Sequence, residues 1–314
     1  MDKQTTPKHV PLIIIGAGPA GFTASVYASR YQTQHLVIGN ILGGQVSKST
    51  VVENYPPFKE IKGYELALKF REHAEHYMQY SNSKIVFDTV KSVKKQKDNT
   101  FAVETNLNGT FTSNALIIAI GVKKRELNVP GEAKFLGKGV VTCTTCDGFL
   151  YRDKIVGVVG GGDSAATSAL YLADITPKVY MFVRRDQLRA EPFWQQKLKK
   201  NKKIHILYNT QITEILGDQK LTSVKTNTGK TIDLDGLFIE IGYKPDIDFL
   251  KDLNLETDQE GYIKVDKEMQ TSVTGVFSAG DITTASNKFK QIVVATAEGA
   301  IAANSAFLYL QKNR

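Results

Sequence analysis

Cysteine is almost missing from this chain: two occur in 314 residues, Cys143 and Cys146. Two thiols cannot build the multiply bridged framework of a small secreted scaffold, nor fill a four-ligand zinc site alone. No Cys/His spacing completes such a site, so no metal is expected. Also missing are an apolar stretch before Pro11 and any apolar run long enough to span a bilayer. Neither a secretory leader nor a membrane partner is therefore expected; Met1–Lys8 reads as a short disordered lead and the protein as cytoplasmic. Acidic residues are in deficit, 32 against 40 Lys and Arg, a formal charge of +8. Residues 184–203 hold eight Lys or Arg against two acids, so 8 − 2 = 6 of those charges lie in one patch. No recognition motif or aromatic platform accompanies it, and it reads as a solvated lysine face rather than a nucleic-acid site.

What is present is ordered around Cys143-Thr144-Thr145-Cys146-Asp147-Gly148. A two-residue spacer on a helical turn brings both sulfurs to one side, within bonding range. Backbone N–H groups at a helix start would favour a thiolate there. Such a pair can cycle between dithiol and disulfide by thiolate attack. Asp147, next to a helix start, reads by itself as a simple helix cap.

On either side lies a glycine-rich turn. The apolar run Val10–Ile15 has the character of a strand buried on both faces of a parallel sheet. Gly16-Ala17-Gly18-Pro19-Ala20-Gly21 follows, then a helical pattern through Ala24, Ala28 and Tyr31, then the strand His35–Ile38. This is the strand–turn–helix–strand context of a dinucleotide motif. Gly39-Asn40 stand where an NAD site would carry its ribose-binding acid, which leaves FAD as the better fit. Lys154–Val159 begins a second unit, with Gly160-Gly161-Gly162-Asp163-Ser164-Ala165 as its turn. Its next strand, Lys178–Val183, ends in Arg184-Arg185-Asp186-Gln187-Leu188-Arg189. A guanidinium where NAD would need a carboxylate suits a 2′-phosphate, so the second nucleotide is expected to be NADPH.

Elsewhere the reading is structural. Tyr64–Tyr77 has the spacing of an amphipathic helix carrying solvated His73 and His76. Residues 85–111 alternate like small antiparallel strands with a turn at Asn108-Gly109, and residues 204–240 repeat that pattern. Segments 122–131 and 242–245 read as linkers. Ile292–Leu310 is alanine-rich and reads as core packing; Glu298 and Asn304 argue against a membrane span.

The order of these motifs, with Gly43-Gly44-Gln45, Glu53-Asn54-Tyr55-Pro56 and Ala279-Gly280-Asp281, resembles the low-molecular-weight thioredoxin reductases over about residues 10–308. The resemblance implies an α/β fold of two Rossmann-like, three-layer ββα domains. A discontinuous FAD domain (1–122 and 247–314) would be interrupted by an NADPH domain (123–246) carrying the redox cysteines. It implies FAD contacts from Gly16, Gly18, Pro19, Ala20, Gly21, Gly44, Gln45, Asn54, Asp281 and Gln291. NADPH contacts would come from Gly160, Gly162, Asp163, Ser164, Ala165, Arg184, Arg185 and Arg189. Cys146 would lie nearer the flavin, Asp147 would manage thiol protons, and the enzyme would be a homodimer reducing thioredoxin or a similar small redox protein. Rotation of the inserted domain would be flanked by Pro130-Gly131 and Gly242–Pro245. Alternatives are the same flavin chemistry serving a glutaredoxin-like protein or a small disulfide, and a dithiol oxidase. The last would have no need of the three arginines, and a ferredoxin- or flavin-directed reductase would normally lack the cysteine pair.

Overall fold

The computed structural model describes residues 7–49 and 51–313, without the side chains of Thr145 and Cys146. The extreme N-terminal lead and the Cys146 thiol therefore lie outside the described residues.

The chain divides into two compact units, Met1–Val122 with Pro245–Arg314, and Lys123–Lys244. In the first, β1 (His9–Ile15), α1 (Pro19–Arg30) and β2 (His35–Ile38) form a parallel crossover, Leu12 facing His35 and Ile15 facing Ile38. Helix α2 (Gly63–Met78) leads to β3 (Lys84–Val86), which pairs parallel to β2 at the sheet edge. Ile85 and Val86 thus belong to the parallel sheet. The expected antiparallel set starts only at β4 (Val90–Lys95) and continues through β5 (Phe101–Thr105) into β6 (Gly109–Ile118). The turn before Gly109 is clamped by Asp88, whose carboxylate accepts the N–H groups of Leu107 and Asn108 at 2.9 Å.

The second unit opens with β7 (Lys123–Lys124), α3 (Glu132–Phe135), β8 (Val140–Val141) and the single turn α4 (Thr144–Asp147). Then come β9 (Ile155–Val159), α5 (Asp163–Ile175), β10 (Lys178–Phe182), α6 (Pro192–Lys200) and β11 (Ile204–Leu207). Strands β12 (Ile212–Gly217), β13 (Leu221–Thr226) and β14 (Thr231–Asp233) form their own antiparallel sheet. Strand β15 (Gly236–Ile239) returns between β9 and β8, giving the order β11-β10-β9-β15-β8. The segments read as linkers are paired with each other: β16 (Tyr243–Lys244) runs antiparallel to β7, and the Arg125 guanidinium donates to the Tyr243 carbonyl at 2.8 Å. Pro130-Gly131, expected beside a hinge, is instead pinned to β12. The Ile215 N–H donates to the Pro130 carbonyl at 2.9 Å, and a Cβ on Gly131 would meet the Ile215 carbonyl at 2.2 Å.

The chain re-enters the first unit through β17 (Val276–Ser278), parallel to the end of β6, and closes with α7 (Ile292–Lys312). Each central sheet is covered on both faces, as near-continuous apolar strands require. In the first unit Leu12 and Ile14 face the helices α1 and α7, while Ile13 and Ile15 face the β4–β5 side with Phe101 and Phe111. In the second, Val156 and Val158 pack on α5 and Leu237 and Ile239 on the three-stranded sheet. Among the described residues α7 alone is long and apolar enough to cross a membrane, with 39% of the stretch buried. Ala302, Ala303 and Ala306 on its inner face belong to the same core as Ala24 and Ala28 of α1.

Among the polar residues buried in the first unit is one titratable base. His35 is fully buried at the start of β2; its Nδ1–H donates to the Thr33 carbonyl at 2.8 Å, so Nε2 accepts from the Ser25 hydroxyl at 2.8 Å. Burial pulls its pKa down to about 4. The unfolded chain therefore binds a proton that the folded one refuses, and stability falls as pH drops from about 6.5 towards 4. We predict that the urea-unfolding free energy loses about 2 to 3 kcal/mol more between pH 7.5 and 4.5 in the parent than in His35→Asn. Equal losses in the two proteins would remove His35 as the cause.

Candidate active site

The two glycine turns are built alike. Gly16 N–H donates to the Ile38 carbonyl at 2.7 Å and Gly160 N–H to the Phe182 carbonyl at 3.0 Å, each tying its turn to the end of the next strand. A Cβ on Gly16 would lie 2.2 Å from the Ala119 carbonyl oxygen, and one on Gly160 would lie 2.1 Å from that of Glu240. Both glycines also have φ in the left-handed half of the map, +121° and +142°. The residue that precedes the following helix is Gly18 in one unit and Gly162 in the other, with φ/ψ of −95°/−174° and −96°/−175° and no side-chain cap on either. The Cβ direction of both glycines points into open space. Uncapped N–H groups behind an open face are the donor set a pyrophosphate needs, so these turns fit dinucleotides.

Around the first turn the fold gathers residues distant in sequence. Gly44 lies against Gly18, a Cβ there being 3.5 Å from the Gly18 Cα, and the Gln45 amide donates to the Val122 carbonyl at 2.9 Å. A Cβ on Gly280 would lie 3.1 Å from that of Ala20, which brings Asp281 beside the start of α1; Gly21 is buried and Pro19 is the first residue of the helix. Asn54 donates to the Gln291 side-chain oxygen at 2.9 Å. Burial raises the Asp281 pKa, Lys290 opposes that shift and Glu298 adds to it. Glu298 is a site residue that sequence reasoning missed. From inside α7 it accepts the Gly280 N–H at 2.8 Å and the Thr283 hydroxyl at 3.2 Å, holding the loop that carries Asp281. A buried acid in an alanine-rich helix was the available signal.

At the second turn the arginine-bearing loop folds back on the glycines, since the Gly161 carbonyl accepts the N–H groups of Arg189 at 2.6 Å and Ala190 at 3.0 Å. Asp163 is occupied, its carboxylate accepting the Glu191 N–H at 2.7 Å. Ser164 is exposed and Ala165 is buried against Gly160. Arg184, Arg185 and Arg189 are exposed, and their guanidinium groups have no ion-pair or hydrogen-bond partner among the described residues. Three free cations beside an open phosphate turn fit an additional phosphate.

The cysteine turn belongs to the same unit. Cys143 is half-buried and stands in a disulfide, while the Cys146 side chain is outside the described residues. The Asp147 N–H donates to the Cys143 carbonyl at 3.1 Å, and the Asp147 carboxylate is half-buried. Burial, with the Asp147 charge added, pushes the Tyr151 phenol up. Thr144 directs its hydroxyl at Glu240, 3.3 Å away. Glu240 and its partner Lys124 are further residues that sequence reasoning did not single out. Phe149 and Leu150 are 64% and 57% exposed directly after the turn.

The pyridine nucleotide-disulphide oxidoreductase family model matches residues 10–299. Thioredoxin reductase of Treponema pallidum (strain Nichols) is 39% identical over 306 residues, covering 95% of this chain and 96% of that protein. Thioredoxin reductase of Mycolicibacterium smegmatis is 40% identical over 309 residues, covering 95% and 96%. The crystal structure of Lactococcus lactis thioredoxin reductase in its FR conformation superposes with a TM-score of 0.90 at 34% identity, covering 96% of this chain and 99% of that one. With matches that run through both compact units at this level of identity, the chain belongs to the pyridine nucleotide-disulphide oxidoreductase family.

Proposed function

We propose that the chain is a thioredoxin-disulfide reductase, an oxidoreductase that uses FAD and NADPH. The observation that carries the proposal is the disulfide at Cys143, held on the same unit as an open glycine turn flanked by arginines that have no partner among the described residues. The partner we assign to it is Cys146, the one other cysteine in the sequence. The unit formed by Met1–Val122 and Pro245–Arg314 binds FAD through Gly16, Gly18, Pro19, Ala20, Gly21, Gly44, Gln45, Asn54, Asp281 and Gln291. The unit Lys123–Lys244 binds NADPH through Gly160, Gly162, Ser164 and Ala165, with Arg184, Arg185 and Arg189 on the 2′-phosphate. Asp163 joins this set, its carboxylate also accepting the Glu191 N–H that shapes the second turn.

When bound, NADPH would supply the hydride and FAD the two-electron redox chemistry that a disulfide reduction needs. The chain's own sulfurs do the rest. The Cys143–Cys146 bond takes two electrons and two protons and becomes a dithiol. One thiol, as thiolate, attacks the partner's disulfide and forms a mixed disulfide. The second thiol displaces the partner, which leaves as a dithiol while the enzyme's own bond re-forms. Asp147, half-buried beside the turn, takes and returns the proton. The exposed Phe149 and Leu150 and the basic stretch 184–203 support a protein substrate with an apolar contact and an acidic surface. We propose a cytoplasmic homodimer, supported by Tyr27, Ile301 and Leu308, which leave 40–49% of their surface exposed on α1 and α7.

The purified protein should carry a visible flavin absorbance that NADPH bleaches; a chain that neither holds nor takes up FAD would end this reading. Arg184→Ala with Arg185→Ala should raise KM for NADPH roughly 10- to 100-fold and leave that for NADH nearly unchanged. A parent enzyme that uses NADH as well as NADPH would defeat the arginine assignment. Cys146→Ser should abolish reduction of thioredoxin while NADPH still bleaches the flavin; retained thioredoxin reduction would exclude the proposed pair. Sedimentation should return twice the 34.7 kDa chain mass.

A further inference from the structure

The two units carry the same tripeptide position in different chemistry. Strand β6 is followed by Ala119-Ile120-Gly121 and β15 by Glu240-Ile241-Gly242. Ala119 N–H donates to the Ile15 carbonyl at 2.7 Å and Glu240 N–H to the Val159 carbonyl at 2.8 Å, and both carbonyls pack against the first glycine of their turns. Only the side chains differ: a methyl group fits the first unit, and the second buries a carboxylate that is 7% exposed. Burying that charge is costly unless it is compensated.

The compensation comes from three segments. Lys124 on β7 places its ammonium 3.0 Å from each carboxylate oxygen. Ser168 on α5 donates its hydroxyl at 3.4 Å, and Thr144, the residue after Cys143, donates at 3.3 Å. We propose that Glu240 and Lys124 are positioning residues for the redox turn: the carboxylate fixes Thr144, and hence the Cys143 backbone, while the ammonium cancels its field at the sulfur. A lone carboxylate one residue from a thiol would oppose the thiolate that exchange requires, and a lone ammonium would over-stabilise it. Paired, they supply an anchor with no net charge. The other titratable groups at the turn are Asp147 on it, Tyr151 after it, and Tyr171 of α5, whose ring packs on Gly148. The ring of Tyr243 lies 5.9 Å from the Lys124 ammonium. None of these is altered by the substitutions that separate the two charges.

The inference rests on the redox role given to Cys143, but its test reads a thiol and not turnover. In a Cys146→Ser background Cys143 is the chain's one thiol, and its iodoacetamide alkylation rate against pH gives its ionisation. Lys124→Met should move the midpoint to higher pH, lowering the thiolate fraction at pH 7 about tenfold. Glu240→Gln, which keeps an acceptor for Thr144, should move it to lower pH by a similar factor, and the double variant should return near the background value. Shifts of one sign, no shifts, or no restoration in the double variant would overturn the proposal, because a merely structural role moves both variants the same way. Independently, Thr144→Val in the two-cysteine protein should shift the dithiol–disulfide equilibrium against glutathione about fivefold towards dithiol. An unchanged equilibrium would remove the anchor. If thioredoxin proves not to be reduced while the opposed shifts appear, the anchor stands and the proposed function falls.

Discussion

Each unit hangs on the closeness of a turn to the neighbouring strand. Gly16 presses on the carbonyl of Ala119 and Gly160 on that of Glu240, at separations no side chain could share. This contact pulls the first turn of each helix to the end of its parallel sheet. The uncapped N–H groups at Gly18 and Gly162 therefore face outward at the carboxyl ends of the strands. That is where an open α/β sheet binds ligands, and where the helix dipole adds its attraction for phosphate. A bulkier residue at either position would displace backbone against backbone, which no flexible side chain could relieve.

Given two such turns, the differences between the units carry the division of labour. The strand after the first turn ends in Gly39-Asn40, and the one after the second ends in a loop with three arginines unpaired among the described residues. The second unit also carries the cysteine turn, bonded through Thr144 to a buried acid at the position where the first unit has alanine. Two kinds of charge in the second unit thus serve opposite ends. The arginines have no partner among the described residues, as the proposed phosphate contact requires, and Glu240 is paired where, by our proposal, its field must not disturb a sulfur. The β7–β16 ribbon gives Lys124 a fixed place from which to make that pairing. Glu298 does comparable service in the first unit, holding the loop of Asp281 through the Gly280 N–H.

Much of this was legible in the residues. Both nucleotide turns, the buried parallel strands, the redox spacing and the helix over 63–78 follow from local periodicity and local sterics, which a linear chain displays directly. The displaced expectations share one cause. Ile85–Val86 alternate like the hairpin that follows, yet pair parallel to β2 because that sheet edge is open. Pro130-Gly131 has linker composition, yet β12 fixes it. In each case the deciding partner lies far along the chain.

The fold class, the two glycine turns, the cysteine spacing and the arginine-bearing loop were determined by the linear chain, because each is written in neighbouring residues whose conformations depend on one another. It took the packed fold to bring Glu240 and Lys124, 116 residues apart, together beneath the Thr144 hydroxyl, and to turn Glu298 inward to Gly280. An acid or a lysine reads as ordinary surface charge until the fold removes the water around it, and which charges lose their water is decided by the packing of distant segments.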